Sequence, residues 1–177
     1  QEGNDYTLSD AGMLIKAAAL PSAQKYTLGT TVQISPETNT RLSGLYTSGG
    51  MFCTQCEAEG FRRITFAQDR PDVMSTFSVR LNASPSGEFP VMLSNGNNPI
   101  PPTLMDSPGE NIDKSFAVWE DPIPKPSYLF ALVAGDLGSI KSYFITKSGR
   151  KVKLEIFSEK ENVDQLDWAM ESLKVRL

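Results

Sequence analysis

The residues of this sequence best suited to chemistry lie in one short segment, CTQCEAE at positions 53–59. It carries two thiols, Cys53 and Cys56, and two carboxylates, Glu57 and Glu59. The Cys-x-x-Cys spacing is compatible with a redox pair or with half of a zinc site, and a carboxylate can neutralise a cationic group of a ligand. The sequence has no histidine and no third cysteine, so a zinc site would need carboxylates or another chain. Ordinary thiols and solvated acids are the simpler interpretation.

The elements around this segment should hold it on non-repetitive backbone. Apolar runs predict a strand at 61–66 and a second strand at 73–81, joined by a turn with the sequence DRPD at 69–72. Loops fixed between strands are where binding and catalytic residues concentrate, so a functional site is expected here. Salt bridges to Asp69, Asp72 or the loop acids account for the basic residues more simply than a ligand does. These residues are Arg62, Arg63, Arg70, Arg150 and Lys151.

The rest of the chain also reads mostly as strands. Alternating or apolar runs predict strands at 12–20, 25–34, 89–94, 116–120, 128–134, 140–146 and 151–157. Prolines predict an exposed loop at 99–109 and a corner at 122–126. The one predicted helix follows Asn162, its N-cap. The expected fold is mainly β, with an antiparallel sandwich or saddle-like sheets, a short C-terminal β-hairpin and one α-helix.

Bulk composition excludes several classes of partner. The 177 residues carry a net charge of −4, with an isoelectric point near 4.9, so phosphate-binding basic clusters are lacking and no nucleic-acid partner is expected. The longest apolar run, at 128–134, is far shorter than a membrane span. The N-terminus lacks the basic start of a signal peptide. We therefore expect the cytoplasm or an organelle lumen or stroma, with no clear sign of secretion.

Nine motifs occur in a fixed order along most of the chain: NT at 39–40, SGLY at 43–46, FCTQCEAEGFR at 52–62, DRPDV at 69–73, LSNGN at 93–97, WEDP at 119–122, KPSYLFALVAGD at 125–136, SGRKV at 148–152 and AMESLK at 169–174. Together they resemble the N-terminal β-domain of the aminopeptidase N, or alanyl aminopeptidase, family of zinc metallopeptidases. The resemblance implies that 1–136 is this β-domain without its first strands. It also implies that 137–177 begins the catalytic domain and stops before the zinc motif.

The resemblance assigns roles to two side chains of the segment at 53–59. It implies that Glu57 binds the cationic α-amine of a peptide substrate, and that Gln55 lines the pocket for the first side chain. It implies ordinary thiols at Cys53 and Cys56, whose state the residues alone leave open. No catalytic residue and no metal ligand is expected in this chain.

The missing histidines bear directly on activity. The family resembled here holds zinc through an H-E-x-x-H helix and a downstream glutamate, which this chain does not contain. Zinc is therefore expected in the full-length family and no cofactor in this chain. We expect no peptidase activity from this chain alone.

Two functions remain open at this point. In the first, the chain is the non-catalytic N-terminal portion of a zinc aminopeptidase, capping the cleft and anchoring the substrate amine. Its partners are then the remaining catalytic and C-terminal domains and a peptide N-terminus. In the alternative, it is a naturally shortened, inactive relative that acts as a structural or interaction subunit bound to other proteins. Whether the gene continues past Leu177 into H-E-x-x-H discriminates between them.

Overall fold

The computed structural model describes residues 2–10, 12–22, 25–84, 88–105 and 114–176. Apart from short 3-10 helices, its regular structure in these residues is almost entirely β. The strands and the α-helix are β1 (Tyr6–Ser9), β2 (Gly12–Ile15), β3 (Gly44–Ser48), β4 (Met51–Gln55), β5 (Met74–Ala83), β6 (Val91–Ser94), β7 (Asn97–Met105), β8 (Lys114–Pro126), β9 (Leu132–Gly135), β10 (Leu137–Ile145), β11 (Lys151–Glu159) and α1 (Asp167–Arg176). The predicted mainly β fold with one α-helix is confirmed.

The strands form four sheets. Their orders are β1-β2, β3-β4-β9-β6, β5-β8-β7 and β10-β11. In the four-stranded sheet β9 is internal and antiparallel to both neighbours, with Ala134 opposite Phe52 on one side and Met92 on the other. An internal strand is covered on both edges, which explains why the short apolar run LVAG suffices for β9.

The chain divides into two compact units. The first contains Gln1–Tyr46, Thr54–Ser75 and Lys125–Phe130, and the second contains Thr47–Cys53, Thr76–Pro124 and Ala131–Leu177. The segment at 53–59 thus enters the first unit directly after Cys53.

Apolar side chains and a few polar contacts fix the second unit. Its buried residues include Met92, Phe116, Ala117, Leu154 and Met170. The indole Nε1–H of Trp119 donates to the carbonyl oxygen of Met92 at 3.0 Å. This bond lets the large aromatic ring pack inward without leaving its polar N–H unsatisfied.

The C-terminal hairpin is confirmed, whereas the predicted helix cap is wrong. Strands β10 and β11 pair over nine residues, from Leu137 opposite Glu159 to Ile145 opposite Lys151. Asn162 lies inside a 3-10 helix, Lys160–Gln165, and its Nδ2–H donates to Glu159 Oε2 at 2.9 Å. An N-cap accepts a backbone N–H through its side-chain oxygen, but Asn162 Oδ1 accepts from Gln165 Nε2 at 3.3 Å, and the α-helix begins later, at Asp167.

Two proline-based predictions are also wrong. Residues 99–105 belong to strand β7, while the rest of the predicted loop at 106–109 lies outside the described residues. Strand β7 is at the edge of its sheet and its register with β8 shifts twice, which is where missing N–H donors are tolerated. Residues 122–126 continue β8 beyond its register with β7, which ends at Glu120, so no corner forms.

Several predicted strands differ in length or type. The strand at 128–134 begins only at Leu132, after the 3-10 helix Ser127–Leu129. The strand at 12–20 ends at Ile15, and 61–66 contains a 3-10 helix, Phe61–Arg63. Residues 25–34 are all exposed, so the predicted two faces are not distinguished by burial, and they are not paired into a strand within the described part of the chain. Periodicity gives a side chain its face, but it cannot supply the hydrogen-bonded neighbour that a strand requires.

Among the described helices, none is long and apolar enough to cross a bilayer.

Candidate functional site

The candidate site is built on the tight loop after β4. The N–H of Gly60 donates to the carbonyl oxygen of Cys56 at 2.8 Å and closes this loop. A Cβ at Gly60 would overlap the carbonyl oxygen of Gln55 and lie 2.9 Å from the Cα of Cys56, so only glycine fits this close approach. The peptide bond between Glu57 and Ala58 is cis. The loop turns Glu57 outward, where it is exposed, while Cys56 and Gly60 are buried beneath it.

A cavity of about 370 Å³ opens at this loop. It is lined by Glu57, Ala58, Glu59, Pro71 and Tyr128. These residues come from three parts of the chain: the loop after β4, the turn at 69–72 and the 3-10 helix Ser127–Leu129. The cavity therefore combines two carboxylates with the faces of a proline and a tyrosine.

Both side chains predicted for the site are placed at this loop. Gln55 is exposed at the end of β4, and its Nε2 lies 3.5 Å from the backbone carbonyl oxygen of Glu57. Glu57 lies at the cavity itself. The two residues are thus neighbours, and their roles stay predictions.

The two acids of the loop differ in their surroundings. Arg62 Nη2 lies 3.3 Å from Glu59 Oε1 and forms a salt bridge with it. Among the described residues, the Glu57 carboxylate forms no salt bridge or hydrogen bond. Glu57 is therefore the acid of this loop whose charge is left uncompensated by the rest of the described chain.

A buried aspartate connects the walls of the cavity. Asp69 is 4% exposed. Its Oδ2 accepts hydrogen bonds from the backbone N–H and the Nε–H of Arg62, at 3.0 and 3.2 Å, and its Oδ1 accepts one from the Ser127 hydroxyl at 2.5 Å. Arg62 Nη2 in turn donates to the Asp69 carbonyl oxygen at 2.7 Å. Burial opposes ionisation of this carboxyl group, but the bonds from Ser127 and Arg62 hold its pKa below the usual value.

The salt bridges predicted for Arg62 and Arg70 are confirmed. Arg62 pairs with Asp69 and Glu59, and Arg70 pairs with Asp72 through bonds of 2.9 and 2.6 Å. The hydrogen bond from Ser127 was not foreseen. Nothing in the sequence near Asp69 signals it, since the two residues are 58 positions apart.

The thiol of Cys56 offers little reactivity. Cys53 and Cys56 are free thiols. Burial, together with the nearby charge of Asp69, raises the pKa of the Cys56 thiol to about 11, so the thiolate that would bind a metal or attack a disulfide is scarce at neutral pH. Within the described ranges, no three acidic, cysteine or histidine side chains are grouped to hold a metal ion. The described residues therefore do not fit a zinc site.

Comparison with known proteins then identifies the family. The model of the peptidase M1 N-terminal domain matches residues 5–129, which is most of the chain. This chain belongs to the M1 aminopeptidase family. The resemblance inferred from the nine motifs is thereby confirmed.

Individual relatives agree with the M1 assignment. The chain is 52% identical over 149 residues to aminopeptidase N of Caulobacter vibrioides, and 46% identical over 151 residues to that of Escherichia coli. These alignments cover 84% and 85% of this chain but only 16% and 17% of the two relatives. The chain thus corresponds to about one sixth of the length of these M1 aminopeptidases.

Solved M1 structures share the fold. Legionella pneumophila aminopeptidase A, solved in complex with aspartic acid, matches 98% of this chain with a TM-score of 0.77 and 33% identity, and 19% of its own length is covered. An M1 zinc metallopeptidase from Deinococcus radiodurans matches 71% of this chain with a TM-score of 0.54 and 19% identity. At that identity the second match supports the fold alone.

Proposed function

We propose that this chain is the non-catalytic N-terminal portion of a zinc-dependent aminopeptidase, in which it caps the cleft and anchors the α-amine of the substrate. Membership of the M1 family supports this proposal, and so do the aminopeptidase relatives, of which the chain covers only about one sixth. The remaining domains of such an enzyme would supply the zinc and the catalytic groups. This chain would contribute a wall of the cleft.

The observation that carries the proposal is the environment of Glu57. A peptide N-terminus is an ammonium group, and an ionised carboxylate both neutralises it and accepts its hydrogen bonds. Glu57 is exposed at the 370 Å³ cavity and has no cationic partner among the described residues, whereas Glu59 is already paired with Arg62. Of the two acids, Glu57 is the one available to a ligand.

Gln55 completes the proposed binding role. Its amide carries both a donor and an acceptor, is exposed, and lies beside the backbone of Glu57. We propose that it lines the pocket for the first side chain of the substrate. The first side chain of a peptide is attached to the carbon that carries the α-amine, so a residue beside the amine anchor is close enough to contact that side chain.

The domain border follows from the same proposal. We place the β-domain at 1–136 and the start of the catalytic domain at 137–177. The family match ends at residue 129, which supports a border after that residue. The β10-β11 hairpin and α1 would then be the first elements of the catalytic domain, with its other parts and the C-terminal domains as partners.

The alternative function draws support from the surface of α1. Trp168 is 80% exposed and Val175 is 85% exposed. Exposed large apolar side chains of this kind are typical of surfaces that another segment or subunit covers. In the aminopeptidase proposal that cover is the rest of the catalytic domain. In a shortened, inactive relative it would be another protein subunit.

The deciding experiment begins with the gene and ends with the enzyme. We expect the coding sequence to continue past Leu177 into H-E-x-x-H, and the complete product to bind one zinc and release N-terminal residues from peptides. In that product Glu57→Gln should lower kcat/KM by about 30-fold, because a charge-assisted bond to the amine is lost. The matched variant Glu59→Gln should stay within about threefold. A stop codon after Leu177 would contradict the proposal and favour the interaction subunit.

A further inference from the structure

We propose that Asp69 is a positioning residue for the amine anchor: it fixes the place of Glu57 by tying together the three segments that line the cavity. The inference rests on the proposed function of Glu57. It concerns a buried residue that is not among those lining the cavity.

The first tie runs from Asp69 to the loop that carries Glu57. Its Oδ2 accepts the backbone N–H of Arg62 at 3.0 Å and the Nε–H of the same residue at 3.2 Å. Arg62 also reaches Glu59 at 3.3 Å. The loop is thus held at its C-terminal end by the backbone and within it by a side chain. With Gly60 bonded to Cys56 at 2.8 Å, little freedom remains for Glu57.

The second tie runs from Asp69 to the segment that carries Tyr128. Its Oδ1 accepts the hydroxyl of Ser127 at 2.5 Å, and Ser127 is itself buried. The next residue, Tyr128, lines the cavity. The third wall, Pro71, lies two residues after Asp69 on the same turn. Each lining segment is therefore either bonded to Asp69 or continuous with it.

A role in stabilising the fold does not by itself explain where the hydrogen bonds of Asp69 go. A buried carboxylate that only stabilised the fold could have its partners anywhere in its surroundings. Among the described residues, the Asp69 side chain instead bonds Arg62, which follows the loop that carries Glu57, and Ser127, which precedes Tyr128 of the cavity lining. Removing Asp69 should therefore shift the walls relative to Glu57, and a displacement on the order of 1 Å is enough to weaken a directional charge-assisted bond.

The experiment measures what the amine of a ligand contributes to binding. The probes are L-leucine and 4-methylpentanoate, which differ by the α-amino group, used as competitive inhibitors of the complete peptidase. The inhibition constant of 4-methylpentanoate divided by that of L-leucine reports the amine anchor, because only L-leucine carries the amine. We expect Asp69→Ala to reduce this ratio by about tenfold and to leave the constant of 4-methylpentanoate within about twofold.

Two further variants complete the set. Asp72→Ala, an exposed aspartate of the same turn, is the control and should leave the ratio within about twofold. Asp69→Asn should restore most of the ratio, since its amide can accept from Arg62 and donate to a rotated Ser127 hydroxyl. A merely structural role predicts equal changes for both probes in Asp69→Ala.

The outcomes separate the two proposals. If Glu57→Gln leaves the ratio unchanged, both the anchor and this inference fail. If Glu57→Gln reduces the ratio but folded Asp69→Ala does not, only this inference fails. If Asp69→Ala does not fold, Ser127→Ala decides: a ratio reduced about threefold supports the inference, and an unchanged ratio overturns it. When Glu57→Gln is already present, Asp69→Ala should reduce the ratio no further. A further loss would show that Asp69 acts elsewhere.

Discussion

Two arginine–aspartate pairs, Arg62–Asp69 and Arg70–Asp72, lie close together in the sequence and differ in how far they are buried. Arg70 and Asp72 form the better geometric pair, with two parallel bonds of 2.9 and 2.6 Å. Their side chains are 67% and 62% exposed, whereas the side chain of Asp69, the partner of Arg62, is only 2% exposed. Water solvates the first pair almost as well as the partners solvate each other, so its net contribution is small. Burial, rather than bond length, separates the two.

The range of the contacts separates them further. Asp72 bonds an arginine two positions away, so its pair fixes little beyond the turn itself. Asp69 bonds a loop seven positions before it and a hydroxyl 58 positions after it. Contacts between distant parts of the chain restrict far more conformations than contacts within one turn. The pair of the buried Asp69 with Arg62, whose side chain is 48% exposed, should therefore control the site, and the pair in which both side chains are exposed should not.

The first test concerns the burial around Asp69, which the reactivity of the neighbouring Cys56 thiol reports. If this side of the turn is as dry as the structure shows, the Cys56 thiol, with its pKa of about 11, should react with iodoacetamide at pH 8 about 100-fold more slowly than a thiol of ordinary pKa 9.0. The measurement is the labelling rate of the peptide that contains Cys56, by mass spectrometry. The same peptide labelled in urea is the control, and equal rates would contradict the burial.

A second test compares the two aspartates by hydrogen exchange. Asp69→Ala should speed exchange in peptides covering 55–72 by about 30-fold, because losing hydrogen bonds to a buried charge costs about 2 kcal/mol. Asp72→Ala should change exchange of residues 55–63 by less than about twofold. Similar effects of both variants would show that burial does not distinguish the pairs.

The pH dependence of the same exchange sharpens the comparison. The folded-state pKa of Asp69 lies below its usual 3.8, because its bonds to Ser127 and Arg62 outweigh the effect of burial. The stability it provides is therefore complete above that usual value and is lost as the pH falls through the lower folded-state pKa. Protection of residues 55–63 should fall more in the wild type than in Asp69→Asn as the pH is lowered from 5 to 2. An equal decline in both proteins would contradict the role of this carboxylate.

The smallest effect is expected at the exposed arginine. Arg70→Gln removes both bonds to Asp72 and should leave kcat/KM of the complete peptidase within about twofold. Arg62→Gln, which removes the guanidinium contacts with Asp69 and Glu59 but keeps the backbone N–H bond to Asp69, serves as the matched variant and should lower it about fivefold. A larger loss at Arg70 than at Arg62 would reverse the assignment of the two pairs.

Local patterns in the sequence determined much of this protein. Alternation at 140–146 and 151–157 predicted the C-terminal hairpin, and the nine ordered motifs carried the resemblance to the family. The loop acids and the pairing of Arg62 and Arg70 could also be read directly. The hairpin and the ion pairs depend on residues close together in the chain. Their periodicity and turn preferences do not depend on distant segments.

Only the tertiary structure decided the rest. The apolar run after Gly60 became a 3-10 helix, the alternating segment at 25–34 was not paired among the described residues, and the prolines of β7 were accommodated at a sheet edge. The burial of Asp69 and its bond to Ser127 had no local signal at all. Burial and long-range hydrogen bonds depend on which segments come together, and the pattern of a single segment does not contain its neighbours.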